Sequence, residues 1–485
     1  MSHRCIPLLL AVLTAGPSGL RAQTSDSITA ADVRGRIAFL ASDALRGRGT
    51  PSPGLEQAAR YVAKEFQRLG LRPAGDSGYI QRYTILTTRV VPESSTVRFV
   101  GLRAARWRVG REVYWLSTSG PGPRDIAGPA VVLVGVPADS LHAFDGTNLH
   151  GAVLIHLADD RPDHPGTPMW LLRAAARAGA VACILVRNLE PDELRFKMAQ
   201  LARPRVVRPG AESFAPFPVL QMQDITLGAY LAEVGVAAAG IRPVPENVER
   251  IVLANTMIRL HLVERIVSRR SAPNILAVLP GADSLHAGEY VALGAHVDAL
   301  GVGPPVGGDS IYNGADDDAS GTAAVLEVAA VLARGPRPRR SVLFALFSGT
   351  EQGLWGSEYY VARPTVPLAR VVAFLNVESI SRNMPDSVAV LGKTRSWLGA
   401  AADSAAARHP ELGITAVDDP WPRKDYFEQS DQLMFVRHGV PALFFFNGLH
   451  GALHAPWDDI RVVNAESAAR ITRYVGELVR ELANP

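Results

Sequence analysis

The segment Asn313-Gly-Ala-Asp-Asp-Asp-Ala-Ser-Gly321 places three successive carboxylates between glycines, shortly after the triplet His296-Val-Asp298 at the end of an apolar run. Adjacent carboxylates repel one another, and each raises its neighbours' proton affinity unless a cation offsets the repulsion. A fold that contains this segment has to bring positive charge to it. The flanking stretches Tyr290 to Gly294 and Ser320 to Leu332 read as a buried strand and a helix, so the acids fall between the two. The pattern points to a metal site.

A chain of 485 residues exceeds one ordinary core, and two domains, or one domain with a large insertion, are expected. Hydrophobic content of 47% and charged content of 20% describe a globular protein. The formal net charge is +3 without a basic run, which argues against nucleic acid as a partner. The N-terminus reads as a secretory signal over residues 1–22. Arg4 gives the positive start, Ile6 to Leu13 the short apolar core and Ala22 the small residue at its end. That core is too short to span a bilayer, so a secreted or periplasmic protein without a stable membrane anchor is expected. Loss of residues 1–22 removes Arg4 and Arg21 and no acid, taking the formal charge from +3 to +1. Of the two cysteines, Cys5 lies in the signal. Cys183, between Val181 and Leu185, is then a lone thiol and reads as buried and inert.

After the signal, Ser27 to Leu45 and Pro53 to Leu71 read as helices, and Tyr79 to about Leu116 as a β-rich stretch. Pro121, Pro123 and Pro129 mark a junction. Beyond it Val131 to Val134, Ala152 to Ile155 and Val181 to Val186 read as strands, and Leu171 to Ala178 as a helix. The expected layout is 23–118 as the first part of a catalytic domain, 119–250 as an insert and 251–485 as the main part. From about Ser271 strands and helices alternate. Asn274 to Leu279, Tyr290 to Gly294, Val342 to Phe347, Val371 to Asn376, Val388 to Leu391 and Ala442 to Phe446 are the strands. Ser320 to Leu332, Ser396 to Arg408 and Ala465 to Leu482 are the helices. The expected fold class is α/β, a mostly parallel central sheet with helices on both faces, plus a smaller β-rich α+β insert. The glycine-rich stretch Gly301 to Gly308 lacks the lysine of a phosphate loop and reads as a rim.

In open α/β sheets ligands gather at the carboxyl ends of strands, where His296, Thr350-Glu351 and Glu378 fall. With the acid run and His454 they supply two imidazoles and several carboxylates. This donor chemistry suits zinc, and the number suffices for two metals sharing a carboxylate. Taken singly, each is an ordinary loop residue; their succession at strand ends carries the argument.

Five ordered motifs sharpen it: Gly294-Ala-His-Val-Asp298, Gly314-Ala-Asp-Asp-Asp-Ala-Ser-Gly321, Glu351-Gln-Gly-Leu-Trp-Gly-Ser357, Asn376-Val-Glu378 and Leu449-His-Gly-Ala-Leu-His-Ala-Pro456. With them the chain resembles the co-catalytic zinc aminopeptidases, a family that includes glutamate carboxypeptidase and the glutaminyl cyclases. Phe39-Leu-Ala-Ser-Asp-Ala-Leu-Arg-Gly-Arg-Gly49 and Pro280-Gly281 extend the likeness, and about Gly120 to Arg250 resembles the protease-associated domain that many members carry. The resemblance implies a zinc-exopeptidase fold, a peptide substrate and two zinc ions. Asp317 would bridge the metals, with His296 and Glu378 completing one site and Glu351 and His454 the other. Asp298 would orient His296 from behind. The peptide bond after Asp317 would be cis.

Two positions depart from the family pattern. Glu378 stands where Asp is usual and keeps the donor group. Thr350 stands where the family has the glutamate that acts as general base, and a threonine hydroxyl is too weakly basic to replace it near neutral pH. In an alternative register Glu351 is the base and the neutral Gln352 the ligand. Asp318, Asp425 and Asp431 are acids near enough in the motifs to substitute. The leading expectation is an exported two-zinc aminopeptidase-like hydrolase, the alternative is a zinc-binding pseudo-enzyme that binds peptides or proteins, and aminoacyl cyclisation is the third.

Overall fold

The computed structural model describes residues 28–485, except 102, 118–121, 138–141, 158–166, 168, 202, 211–216 and 235–247. The expected signal at 1–22 lies outside the described residues, and among these no helix is long and apolar enough to cross a membrane. The chain divides into two compact units, Tyr83–Ala272 and the remainder on either side of it.

In the second of these, the residues up to Arg82 and from Pro273, the sheet has a parallel centre. Strand Tyr290–His296 lies between Ser341–Phe347 and Val371–Glu378, and the latter pairs with Ala442–Phe446, all in parallel. Antiparallel pairings flank this centre, from the end of Glu249–Leu279 on one side and from Ser387–Leu391 on the other. Successive residues of the central strands are apolar and fully buried, as in Val291-Ala-Leu293 and Val342-Leu-Phe-Ala-Leu-Phe347, which a sheet covered on both faces requires. Tyr360, Phe435 and Met434, from helices Trp355–Ala362 and Gln432–Arg437, pack on Ala292, Ala345 and Phe374. Helix Gly321–Arg334, apolar nearly all round and buried to Leu332, packs with Ala465–Leu482, which Asn464 caps through the Ser467 amide.

The first helix stops at Leu40 rather than Leu45, and a 3₁₀ segment Asp43–Arg48 follows. Within that segment the chain kinks at Arg46 and Gly47, where Gly47 has a φ of +66° and a Cβ would stand 2.4 Å from the Tyr312 carbonyl oxygen. The Gly301 to Gly308 stretch, expected as a rim, forms a hairpin of Gly301–Val306 with Asp309–Tyr312.

In the Tyr83–Ala272 unit, Gly122–Val134, Val153–Leu157, Ala182–Arg187 and Val219–Gln223 are parallel neighbours, and Val113–Ser117 adds antiparallel to the last. Val132, Ile155, Ile184 and Leu220 pack around Trp115, while Val131, Leu154, Cys183 and Val219 form a second apolar cluster. Cys183 is free and buried, and burial pushes its thiol far above the usual range. The expected insert edges, 119 and 250, fall inside this unit. Thr96–Val100 pairs with residues 257–261 and Gly122–Val134 with residues 249–264 of the long strand Glu249–Leu279, so the neighbouring sequence belongs to the same sheet.

Candidate metal centre

The acid run folds as a tight turn between strand Tyr290–His296 and helix Gly321–Arg334, and each aspartate has a separate set of partners. Asp316 accepts from the amide and hydroxyl of Ser381 and lies 2.8 Å from His450 Nε2. Asp318 accepts from the His296 amide at 3.0 Å and the Gly321 amide at 2.8 Å. The Asp458 carboxylate accepts from the amides of Asp316 and Asp317, at 2.9 and 3.1 Å. The peptide between Asp317 and Asp318 is cis. With its two neighbours fixed to the scaffold, Asp317 presents its carboxylate to the imidazoles.

Asp317 Oδ1 is 3.1 Å from His296 Nε2, and Oδ2 is 3.0 Å from His454 Nε2. Glu378 Oε2 lies 3.8 Å from the first imidazole and Glu351 Oε2 3.5 Å from the second. The donor atoms of His296, Asp317 and Glu378 lie within 4.8 Å of one another, as do those of Asp317, Glu351 and His454. All five expected ligands are thus brought together in two trios that share Asp317. Each comes from the carboxyl end of a central strand or the loop after it.

The electrostatics are those of a site built around cations. Burial and the nearby Asp317 push Glu351 up to about 8, and its Oε1 is buried without a hydrogen-bond partner. Burial pushes Glu378 up to about 7 against the attraction of His296. The contact with Asp317 raises His454 to about 9. Burial disfavours a charged Asp317, but His296 and His454 outweigh it and hold this carboxyl well below the usual range. A site that crowds carboxylates and imidazoles in this way, with an acidic oxygen left unpartnered, fits zinc: the donors are nitrogen and oxygen, and each trio leaves coordination positions open.

His296 Nδ1 lies 3.1 Å from the Asp298 carbonyl oxygen and 3.6 Å from its carboxylate. The main chain of Asp298 therefore provides the closer contact to the ring, while its carboxylate accepts from Thr50 Oγ1 and the Gly349 amide, both at 2.8 Å. Thr350 lines the cavity beside the donors, and its hydroxyl donates to Asp431 Oδ2 at 2.9 Å. That cavity, about 370 Å³, also has an apolar wall that includes Phe444, Phe446, Leu449 and Leu453.

Two contributors escaped the sequence. Asp458 sits four residues beyond His454, in the acidic pair Asp458-Asp459, and nothing in that pair marks it as the anchor of the acid run. Arg48 is fully buried, and its guanidinium donates to the carbonyls of Leu40, Val297, Asn313 and Gly314. Burial lowers it to about 10, still charged at neutral pH, and it faces Asp298, Asp318, Asp458 and Asp317 as a fixed positive charge. The segment Phe39 to Gly49 pointed to the neighbourhood, but its arginines at 46 and 48 were indistinguishable in sequence.

The parallel sheet carries, at the carboxyl ends of its strands, two donor sets that could each hold a metal ion. Residues 274–479 match peptidase family M28. The chain is 27% identical over 227 residues to the probable leucine aminopeptidase 2 of Aspergillus fumigatus, covering 46% of this chain and 42% of that one. It is 25% identical over 351 residues to a probable lipoprotein aminopeptidase of Mycobacterium tuberculosis, covering 71% and 57%. The chain thus spans about half the length of the curated relatives it matches. An aminopeptidase from Aneurinibacillus sp. strain AM-1 shares the fold over 96% of both chains, with a TM-score of 0.53 and 18% identity.

Proposed function

We propose that the chain is an exported aminopeptidase-like hydrolase that holds two zinc ions and removes N-terminal residues from peptides. The observation that carries this reading is Asp317, with one carboxylate oxygen beside each imidazole and a glutamate completing each trio. His296, Asp317 and Glu378 would hold one ion, and Asp317, Glu351 and His454 the other. Zinc held there would acidify a water and polarise a scissile carbonyl. The protein's own part is to fix the donors, through Asp316, Asp318 and Asp458, and to shape the cavity. The apolar wall at Phe444, Phe446, Leu449 and Leu453 suits an apolar side chain at the substrate's N-terminus and keeps water from the reacting atoms. Relatives named as aminopeptidases support the same substrate class. In this reading the stretch from about Gly120 to Arg250, within the Tyr83–Ala272 unit, corresponds to a protease-associated domain.

Thr350 favours a second reading, a zinc-dependent peptide-binding protein without turnover, because no carboxylate occupies its place. One assay decides between them. Zinc-loaded protein is expected to cleave peptides with free, apolar N-terminal residues, to spare N-acetylated ones, and to lose cleavage on chelation and regain it with zinc. Stoichiometric zinc and peptide binding without cleavage by the native protein would establish the second reading.

A further inference from the structure

An aminopeptidase needs a group that accepts the proton of the attacking water, and most acids near the cavity are already engaged. Asp317, Glu351 and Glu378 belong to the donor trios. Asp316 and Asp318 are saturated by Ser381 and His450 and by backbone amides. Asp298 accepts from Thr50 and Gly349 through Oδ2, and its Oδ1 lies 3.6 Å from His296 Nδ1, the ring nitrogen turned away from the Asp317 contact; the carboxylate of Asp458 accepts from two amides of the acid run. Asp425 is exposed. Of the three substitutes considered from sequence, Asp431 is the one whose carboxylate is joined to a hydroxyl that lines the cavity.

Asp431 is fully buried, so it cannot meet substrate directly. Its Oδ2 accepts from Thr350 Oγ1, and its Oδ1 accepts from Ser357 Oγ. Because Thr350, a residue of the cavity lining, spends its only proton on Asp431, the oxygen lone pairs of that hydroxyl stay available to accept from water. Burial raises Asp431 to about 6, within the range useful for a general base near neutral pH.

We propose that Thr350 and Asp431 together replace the single carboxylate base, Thr350 as the residue that touches the attacking water and Asp431 as the positioning residue that receives the proton through it. The inference rests on the aminopeptidase reading. As the water oxygen bonds to the scissile carbonyl carbon, its proton passes to Thr350 Oγ1, and the proton already on Oγ1 moves to Asp431 Oδ2. When the carbon–nitrogen bond breaks, the same path runs in reverse: Asp431 returns its proton to Oγ1, and the other goes to the departing amine. The hydroxyl and the carboxylate end as they began, and the net change is the addition of one water across the peptide bond.

The test uses the full-length zinc-loaded protein and four variants, Thr350→Val, Thr350→Ser, Asp431→Asn and the double variant Thr350→Val/Asp431→Asn, with Thr350→Glu as a reference. Zinc content and affinity for an uncleavable reduced-amide peptide are read alongside kcat and KM. Thr350→Val and Asp431→Asn should each keep two zinc ions, peptide affinity and KM, and lose kcat by about 10²–10⁴-fold, the range for a removed general base. The double variant should be no worse than either single one, because the two residues act as a unit. Thr350→Ser should retain most activity, and Thr350→Glu placed in the Asp431→Asn background should restore it. Undiminished kcat in Thr350→Val, multiplicative losses in the double variant, or loss of zinc in Asp431→Asn would each overturn the pair. Inactive native protein with active Thr350→Glu would also overturn it while leaving the peptidase site standing. Inactivity of both would sink the peptidase reading itself.

Discussion

The two units bury different things. Around the donor trios, His296, Asp298, Asp316, Asp317, Asp318, Asp431 and Asp458 are all buried, and Arg48 lies among them. In the Tyr83–Ala272 unit the interior is Trp115 and ranks of Val, Ile and Leu, and among the described residues the buried charged or imidazole groups are few and separate, such as His156, Arg208 and Glu264. Burying ionisable groups costs several kcal/mol each unless they are paired, whereas apolar burial stabilises by about 25 cal/mol per Å². One unit gives up stability to hold a reactive constellation, and the other is assembled for packing. Among the described residues the crowding of buried ionisable groups is confined to the unit that holds the donor trios, which favours that unit as the functional one on physical grounds, independently of any motif.

Arg48 offers the largest test of that contrast. Replacing it by Met leaves four buried carbonyls without their donor and removes the positive charge that faces the aspartates. Loss of one partner from a buried charged cluster typically costs about 3–5 kcal/mol. Denaturant unfolding of metal-free Arg48→Met should show a loss of that order. A change below about 1 kcal/mol, the scale of an exposed pair, would mean that Arg48 is not holding the acids.

The units should also respond oppositely to pH. Glu351 and Glu378, raised from 4.5 to about 8 and 7, and His454, raised from 6.5 to about 9, hold their protons more tightly folded than unfolded. Their contribution in the metal-free protein is complete below about pH 4.5 for the glutamates and 6.5 for His454, and is lost as pH rises towards 9. His156, between Thr167 and the Gly135 carbonyl, is lowered by burial from 6.5 to about 4. Its contribution is complete above pH 6.5 and lost as pH falls towards 4. Hydrogen exchange on metal-free protein should therefore show protection of strand Tyr290–His296 falling from pH 5 to 8, while that of Val153–Leu157 rises. Zinc at pH 8 should restore the former and leave the latter unchanged. Parallel trends in both strands would break the comparison.

Much of the unit that holds the donor trios was legible in the sequence because its elements announce themselves locally. The central strands are unbroken apolar runs such as Val342 to Phe347, and the ligands follow them directly, so strand order along the chain ordered the site as well. What escaped depends on contacts across the chain. Arg48 meets Asn313 and Gly314 some 265 residues away, and the alliance of Thr350 with Asp431 spans 81. The insert's edges were displaced for a related reason. Residues 256–264 alternate, with Ile258, Leu260 and Leu262 buried and Met257 and Arg259 exposed, but only their pairing with Thr96–Val100 and Gly122–Val134 shows which sheet they join.

The central claim is that Asp317 joins two zinc sites, and zinc stoichiometry tests it most directly. After equilibration with excess zinc and removal of the unbound metal, the native chain should retain two ions, and Asp317→Asn should lose affinity at both sites together, because each trio draws on that carboxylate. Retention of a single ion by the native chain, or of two equally tight ions by Asp317→Asn, would contradict the account.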